Sequence, residues 1–418
     1  MNHVEPVDTP EFLADPHRAY ARMRSASPVQ PVCNPSGLTY WMITGHQAAR
    51  SALVDPRLSK EPRRVADVLQ AAGYATEGAG SYFLPMVNSD PPEHTRLRRL
   101  VSHAFTARRI ESLRPRVQQL TDELLDRLAE GSTPGRPVDL IRGFAFPLPV
   151  LVIAELLGLP PANSGRLLAW AEKMLRPTDG PRTPAVRSRR LRAWFAALIE
   201  AKRRGVSSEV PVDEQPDLLS ALITAQDRGA VLTEQELVDL AVLLLVAGHE
   251  TTTGLLGNGV HTLLRHPDQL ALLRRRPELM ATAVEELLRY EGPLARATLR
   301  VAAADLTIGE VWIPAGSVVN VSLAAAGRDP EVFPEPDRFD LTRPPGPHLA
   351  FGHGIHYCLG APLARLQAGV ALASLLGRFP DLALAEPDGD LPWLPISDMR
   401  ALLSLPVLLR NRPEHRPE

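Results

Sequence analysis

Residues Thr233 to Arg265 constrain this chain more than any other stretch. Thr233-Glu234-Gln235-Glu236 has the form of a capping box, and an apolar run follows it. His266-Pro267 stops the pattern. At roughly 1.5 Å per residue the predicted helix is on the order of 48 Å long. A helix so long and so apolar must pass through the middle of the molecule. Its longest strongly apolar run, Leu240–Gly248, is too short to span a bilayer. With 418 residues the chain is long enough to build a large core around it.

Helical patterns dominate the rest. They cover His94–Phe105, Arg108–Glu130 (with Pro115 near its start), Pro147–Leu159, Ala185–Arg204 and Pro277–Tyr290. Strand signals are fewer: Tyr40–Thr44, the pair Leu306–Ile308 and Val311–Ile313 flanking Gly309-Glu310, and Val318–Leu323. The expectation is a mainly α protein with a minor β part near residues 35–60 and 300–325, built as one large domain over 1–418. Charge nearly cancels, with 46 basic and 48 acidic residues for a net −2, which disfavours a nucleic-acid partner. Only three of the basic residues are lysines: Lys60, Lys173 and Lys202. Two cysteines, Cys33 and Cys358, make neither a disulfide framework nor a four-cysteine zinc site. Met1–Tyr20 has no apolar signal region, so a reduced cytoplasmic protein without a membrane anchor is expected. Cys33 reads as a loop residue in Pro31-Val32-Cys33-Asn34-Pro35 and is given no role.

Chemistry concentrates in Phe351-Gly352-His353-Gly354-Ile355-His356-Tyr357-Cys358-Leu359-Gly360. Its glycines make a tight loop, and a helix follows from Ala361 to Leu376. Cys358 therefore sits at a helix N-terminus, where the macrodipole and free N–H groups favour a thiolate. A lone thiolate there serves as a nucleophile, a redox cysteine or a single axial ligand to haem iron, or it is an inert buried thiol. His356 is near enough for the first use, but no orienting third group is evident; the second lacks a C-x-x-C partner. A dinucleotide loop is excluded because Tyr357 stands where a third glycine is needed. A second segment, Ala247-Gly248-His249-Glu250-Thr251-Thr252, puts a carboxylate in the middle of an apolar helix, which is costly unless it has a task. Gly248 there lets a ligand approach the backbone. A zinc-protease motif fails, since Thr253 stands where a second histidine would be needed.

Phe-Gly-x-Gly-x-His-x-Cys-x-Gly is the cysteine-loop signature of the cytochromes P450, and every fixed position matches. The chain resembles that family over about residues 10 to 410. The resemblance implies the cytochrome P450 fold, with the long central helix crossing the distal face of a haem b. It makes Cys358 the proximal thiolate ligand of the metal, with Phe351 packed near the sulfur, Gly360 closing the loop and His356 reaching a haem propionate. Ala247-Gly248-x-Glu250-Thr251 matches the family's oxygen-activating motif, which implies that Ala247 and Gly248 lie against the cofactor. Thr251 then hydrogen-bonds dioxygen, and Glu250 helps relay protons. Cleaving the O–O bond needs two protons delivered in an otherwise dry pocket, while a thiolate pushes electron density from the other side. Asp90-Pro91-Pro92-Glu93-His94-Thr95-Arg96-Leu97-Arg98 matches the propionate-binding helix, giving His94 and Arg98, and Arg300 matches a third cationic partner. Glu286 and Arg289, completed by Arg338 from Pro336-Asp337-Arg338-Phe339, match the family's buried structural network.

No flavin or nicotinamide fingerprint appears, and the chain ends soon after the haem part. Electrons are therefore expected from a separate ferredoxin with its ferredoxin reductase. The helices near the propionate site offer Arg96, Arg99, Arg108, Arg109, Arg114 and Arg116 as a basic docking face. The sequence looks most like bacterial forms that tailor secondary metabolites, macrolide polyketides among them. Specificity is expected in Ala71–Val87, Leu167–Pro184, Leu243, Ala247, Leu294–Thr298 and Pro395–Ser397, with Leu294, Thr298 and Ile396 as pocket residues. These segments are largely apolar, which implies a mainly apolar substrate hydroxylated with O2 at an unactivated C–H bond, or epoxidised at an alkene. Two other readings compete: a haem-thiolate sensor without turnover, and a haem isomerase or dehydratase needing no external electrons. The acid–alcohol pair Glu250-Thr251 speaks against both.

Overall fold

The computed structural model describes residues 4–71, 85–175, 184–207, 209–229, 232–387 and 389–409. Its longest element is the expected helix, Glu234–Arg265, of 32 residues. The capping box is complete: Thr233 Oγ1 accepts from the Glu236 N–H, and the Glu236 carboxylate accepts from the Thr233 N–H at 2.7 Å. At the other end Pro267 forces His266 out of helical geometry, to φ −124° and ψ 73°. This central helix packs against Pro147–Leu156, Pro184–Arg203, Met280–Glu291 and Ala361–Arg378. Its length and composition alone would suit a membrane span, but 67% of its most apolar window is buried inside the protein, as befits a core helix.

The remaining helices follow the pattern closely. Glu93–Ala104 is one. The stretch 108–130 divides into Ala107–Ser112, capped by Thr106, and Arg114–Glu130, where Pro115 occupies the first turn. Pro277–Leu279 is a single tight turn preceding Met280–Glu291.

The β part is larger than expected. A six-stranded sheet runs in the order Glu5–Pro6, Val29–Cys33, Thr39–Ile43, Val318–Val321, Arg300–Ala302, Leu58–Ser59. The predicted hairpin, Leu306–Ile308 with Val311–Ile313, stands apart from it. Three further short strands, Ala383–Leu384, Pro406–Leu408 and Val138–Asp139, pair together. Cys33 therefore ends a strand and does not lie in a loop. Pro31 disguises that strand; it is tolerated because the outer neighbour is only two residues long and pairs with Val32 and Cys33 alone.

Glu286 and Arg289 form the buried pair that their spacing suggests, with both Arg289 Nε and Nη2 at 2.7 Å from the carboxylate. Arg289 also donates to the carbonyls of Gly327 and Pro336. The third member differs from the expectation. The Arg338 side chain is 59% exposed and pairs with Glu335 and Asp340. Arg343, five residues later, turns inward and brings its Nε to 3.3 Å from Glu286 Oε1, while Arg338 contributes only its carbonyl to Arg289. The chain turns at Asp340, whose N–H also donates to Glu286, and this turn decides which arginine faces in. Removing one partner of a buried ion pair costs about 3–5 kcal/mol, whereas exposed pairs contribute about 0–1 kcal/mol. Denaturant unfolding should therefore show Glu286→Gln destabilised by about 3 kcal/mol, Arg343→Ala by at least about 1 kcal/mol, and Arg338→Ala by less than either. The reverse order for the two arginines would restore Arg338 to the network.

Candidate active site

The central helix, the helix Glu93–Ala104 and the Cys358 loop enclose a cavity of about 270 Å³. Leu243, Ala247, Gly248, Thr251 and Thr252 line it from the central helix, and Leu294 and Thr298 from the segment leading into the sheet. Ile396 does not: it is 48% exposed, in a turn where its carbonyl accepts from the Met399 N–H. Of Ala71–Val87, residues 72–84 lie outside the described residues, while Met86 and Val87 line the cavity; of Leu167–Pro184, residues 176–183 lie outside them, and residues 167–172 contribute nothing to the cavity wall. Gly248 has a packing reason beyond ligand approach. A Cβ there would come 2.6 Å from Ile153 Cδ1, so glycine lets the helix Pro147–Leu156 close on the central helix.

Cys358 is positioned by the loop before the helix Ala361–Arg378. Gly352 and Gly354 take φ of 71° and 74°, which L side chains rarely adopt. A Cβ on Gly354 would also meet Val54 at 2.8 Å. The Cys358 N–H donates to the Phe351 carbonyl at 2.9 Å, closing the turn. The thiol opens onto the cavity, as do Phe351, His356 and Gly360. Burial pushes it upward; the N–H groups of Gly360 and Ala361 and the charge of Arg98 pull the other way without overcoming burial. A cation facing the sulfur would complete its conversion to thiolate. Behind the loop stands a network that sequence reasoning missed. Arg365 and His348 both bind the Glu285 carboxylate, at 2.6 and 3.0 Å, and Arg365 lies over the Phe351 ring at 4.5 Å. Glu285 adjoins Glu286, and its partners His348 and Arg365 lie 63 and 80 residues further on, so no local pattern marks it.

The rim of the cavity is cationic. His94 and Arg98 share a face of their helix, Arg300 begins its strand, and His356 stacks near His94 with ring centroids 4.3 Å apart. Lys60, which the sequence reading did not single out, joins them. The pKa values of these bases are pulled down, Arg300 to about 10 and His356 to about 2, by burial first and then, for the histidines, by neighbouring cations. His94 Nδ1 is buried with no hydrogen-bond partner. Among the described residues no acidic side chain lines the cavity. An apolar slot with a thiol on one side and unneutralised donors at one edge fits a flat apolar ligand bearing carboxylates and a thiophilic metal, which is the chemistry of haem b.

Thr251 and Thr252 hydroxyls donate to the carbonyls of Ala247 and Gly248 at 2.9 and 3.1 Å, one turn back. Glu250 turns elsewhere. Successive helical residues point about 100° apart, so its carboxylate faces a separate cavity of about 60 Å³, with Thr253, Arg142 and Glu172 in the wall. His249 is fully buried; its Nδ1 lies 2.8 Å from the Leu245 carbonyl and its Nε2 has no hydrogen-bond partner. Burial raises the Glu250 carboxyl to about 7. The expected basic face is largely neutralised: Arg96 pairs with Glu93 and Glu236, Arg114 with Glu111, and Arg116 with Glu155. Arg109 donates to the carbonyls of Ala104 and Gln215, and only Arg99 and Arg108 keep no partner among the described residues.

The description "Cytochrome P450" matches residues 175–386. The chain is 45% identical to the cytochrome P450 monooxygenase PikC of Streptomyces venezuelae, over 96% of this chain and 92% of that one. It is 41% identical to the 6-deoxyerythronolide B hydroxylase of Saccharopolyspora erythraea, over 98% and 100%. The solved structure of the ligand-free P450 monooxygenase TamI superposes with a TM-score of 0.86 at 43% identity, covering 98% and 95%.

An acid whose pKa rises on folding costs stability once it ionises. The Glu250 contribution is thus full below about 4.5, falls as pH rises toward about 7, and is level above that. Glu250→Gln lacks this loss. Unfolding at pH 5 and pH 8 should show the variant gaining roughly 2 kcal/mol on the parent between the two; a pH-independent difference would mean that the carboxyl titrates normally.

Proposed function

Because the chain belongs to the cytochrome P450 family, monooxygenases that hold haem b through a cysteine thiolate, we propose that Cys358 is its axial ligand and that it oxidises a mainly apolar secondary metabolite. The single observation that carries this reading is the meeting of the Cys358 thiol and the Thr251 hydroxyl on one apolar cavity with a cationic rim. When bound, the haem supplies the reductive cleavage of O2 that leaves one oxygen atom in the substrate and one in water.

The residues of the chain supply the rest. His94, Arg98, Arg300 and His356 orient the cofactor through its carboxylates. Phe351 and Gly360 shield the sulfur from water, which keeps the thiolate a strong donor. Ala247 and Gly248 bring the central helix close to the cofactor's open face. Leu243, Leu294 and Thr298 hold substrate there and exclude water. The Thr251 hydroxyl gives a proton at Oγ1 and regains one. Glu250 gathers protons from the side of the small cavity, and because the two groups leave the helix on different faces, the proton crosses by a side-chain swing or a bridging water.

Electrons come from a separate ferredoxin and its reductase. Among the described residues Arg99 and Arg108 are the unpaired charges of the expected docking face, so an acidic partner meets a smaller basic patch than the sequence implied. The full-length likeness to PikC and to the 6-deoxyerythronolide B hydroxylase supports a macrolide or other polyketide substrate and a single haem domain. The apolar wall of the cavity supports hydroxylation at an unactivated C–H bond, with epoxidation at an alkene.

A macrolactone that displaces water from the ferric iron should produce a spin-state shift, and turnover with a ferredoxin, its reductase and reduced nicotinamide should give a product carrying one added oxygen. Thr251→Ala should keep the haem spectrum and nicotinamide consumption while most of the reducing equivalents appear as peroxide. Unchanged product yield per electron in that variant would remove Thr251 from the relay.

A further inference from the structure

Lys60 is 3% exposed, directly after the strand Leu58–Ser59, and it lines the large cavity. Its N–H donates to the Asp90 carboxylate at 3.1 Å, which fixes the residue in place. Its ammonium has neither a hydrogen bond nor an ion pair among the described residues. Two further cations on the same rim also lack an ion pair among the described residues. Arg300 donates to the Thr298 carbonyl at 3.2 Å, and Arg98 to the Tyr357 carbonyl at 2.8 Å, but neither meets a carboxylate.

This is not how the chain treats buried cations elsewhere. Arg289 is paired with Glu286, Arg296 with Asp8, and Arg328 with Asp337 and Glu291. A buried charge is tolerated when it is paired, and lone ones mark places where a ligand brings the counter-charge. The nearest carboxylate to Lys60, Asp90, is already engaged by Ser59 Oγ and the Lys60 backbone. Set against Lys60, Arg98 and Arg300, it leaves two positive charges on the rim. Burial, then the charge of Arg300, draws Lys60 down to about 7, consistent with a counter-charge that the described residues do not provide.

We infer that Lys60 is a further cofactor-binding residue, whose ammonium joins Arg98 and Arg300 in neutralising the two carboxylates of haem b. The inference rests on the P450 reading above. Lysine suits the place: its slender stem crosses the wall between strand and cavity, and its compact ammonium makes a point contact to a carboxylate.

The test loads the protein with haem or with haem dimethyl ester, whose carboxylates carry no charge, and follows transfer to excess apomyoglobin. With native haem, Lys60→Gln should lose the cofactor about tenfold faster than the parent, the scale of one charge-assisted contact. With the diester the two proteins should lose it at equal rates. Lys60→Arg should recover most of the retention of native haem. Equal rates with native haem would overturn the inference. So would a faster loss that persists with the diester, because it would mean that Lys60 matters for shape and not for charge. A parent protein that takes up no haem through thiolate would overturn the P450 reading itself and this inference with it.

Discussion

Lys60, Arg98 and Arg300 are held by three separate segments, a sheet edge, a helix and a second strand; Lys60 and Arg300 are buried and Arg98 is half-buried. Among the described residues their charges meet only one carboxylate, Asp90, already committed to Ser59 and to backbone. An arrangement so costly persists only if something returns the electrostatic energy. The haem proposed for this site answers that need: it would bring two negative charges to one edge, an apolar body to fill the cavity, and a metal to meet the sulfur of Cys358. The loop glycines, the helix beginning at Ala361 and the clamp of Arg365 on Phe351 aim the sulfur at that body. The central helix, running over the opposite wall, presents hydroxyls.

The helix also separates the two groups proposed to handle protons. Thr251 belongs to the cavity and Glu250 to a smaller chamber, because the carboxylate leaves the helix about 100° round from the Thr251 hydroxyl and away from the cavity. A carboxyl held near neutrality by burial can both receive and release a proton at physiological pH. Keeping it outside the main cavity leaves that cavity apolar, which a reactive oxygen chemistry requires. The packing beneath this division is ionic as well as apolar: Glu286, Arg289 and Arg343 tie the helix Met280–Glu291 to the segment before the cysteine loop, and Glu285 ties it to the helix that follows.

Much of this was legible in the residues. The capping box at Thr233 and the stop at Pro267 bounded the central helix to within a residue, because both signals are local. The ten-residue cysteine loop made its turn and its meeting of Phe351, His356, Cys358 and Gly360 on one cavity legible, because the left-handed glycines are a local signal. What escaped notice depends on contacts distant in sequence. Arg338 and Arg343 are equally plausible partners for Glu286 until the turn at Asp340 chooses between them. Ile396 looked like a pocket residue but sits on the outside of its turn. Pro31 hid a strand that only a two-residue neighbour makes tolerable. Arg96 and Arg114 each have a carboxylate three residues earlier, Glu93 and Glu111, that a count of the basic residues alone passes over, while Glu236 and Glu155 reach Arg96 and Arg116 from distant segments. Lys60 was noticed only as one of three lysines; its meaning lies in a buried neighbourhood that no local pattern encodes.

The sulfur–iron bond bears most directly on the whole account. Reducing the purified protein and adding carbon monoxide should give the absorption band characteristic of thiolate-ligated haem, and Cys358→His should abolish that band. A colourless protein, or a band of the kind given by imidazole-ligated iron in the parent, would contradict it.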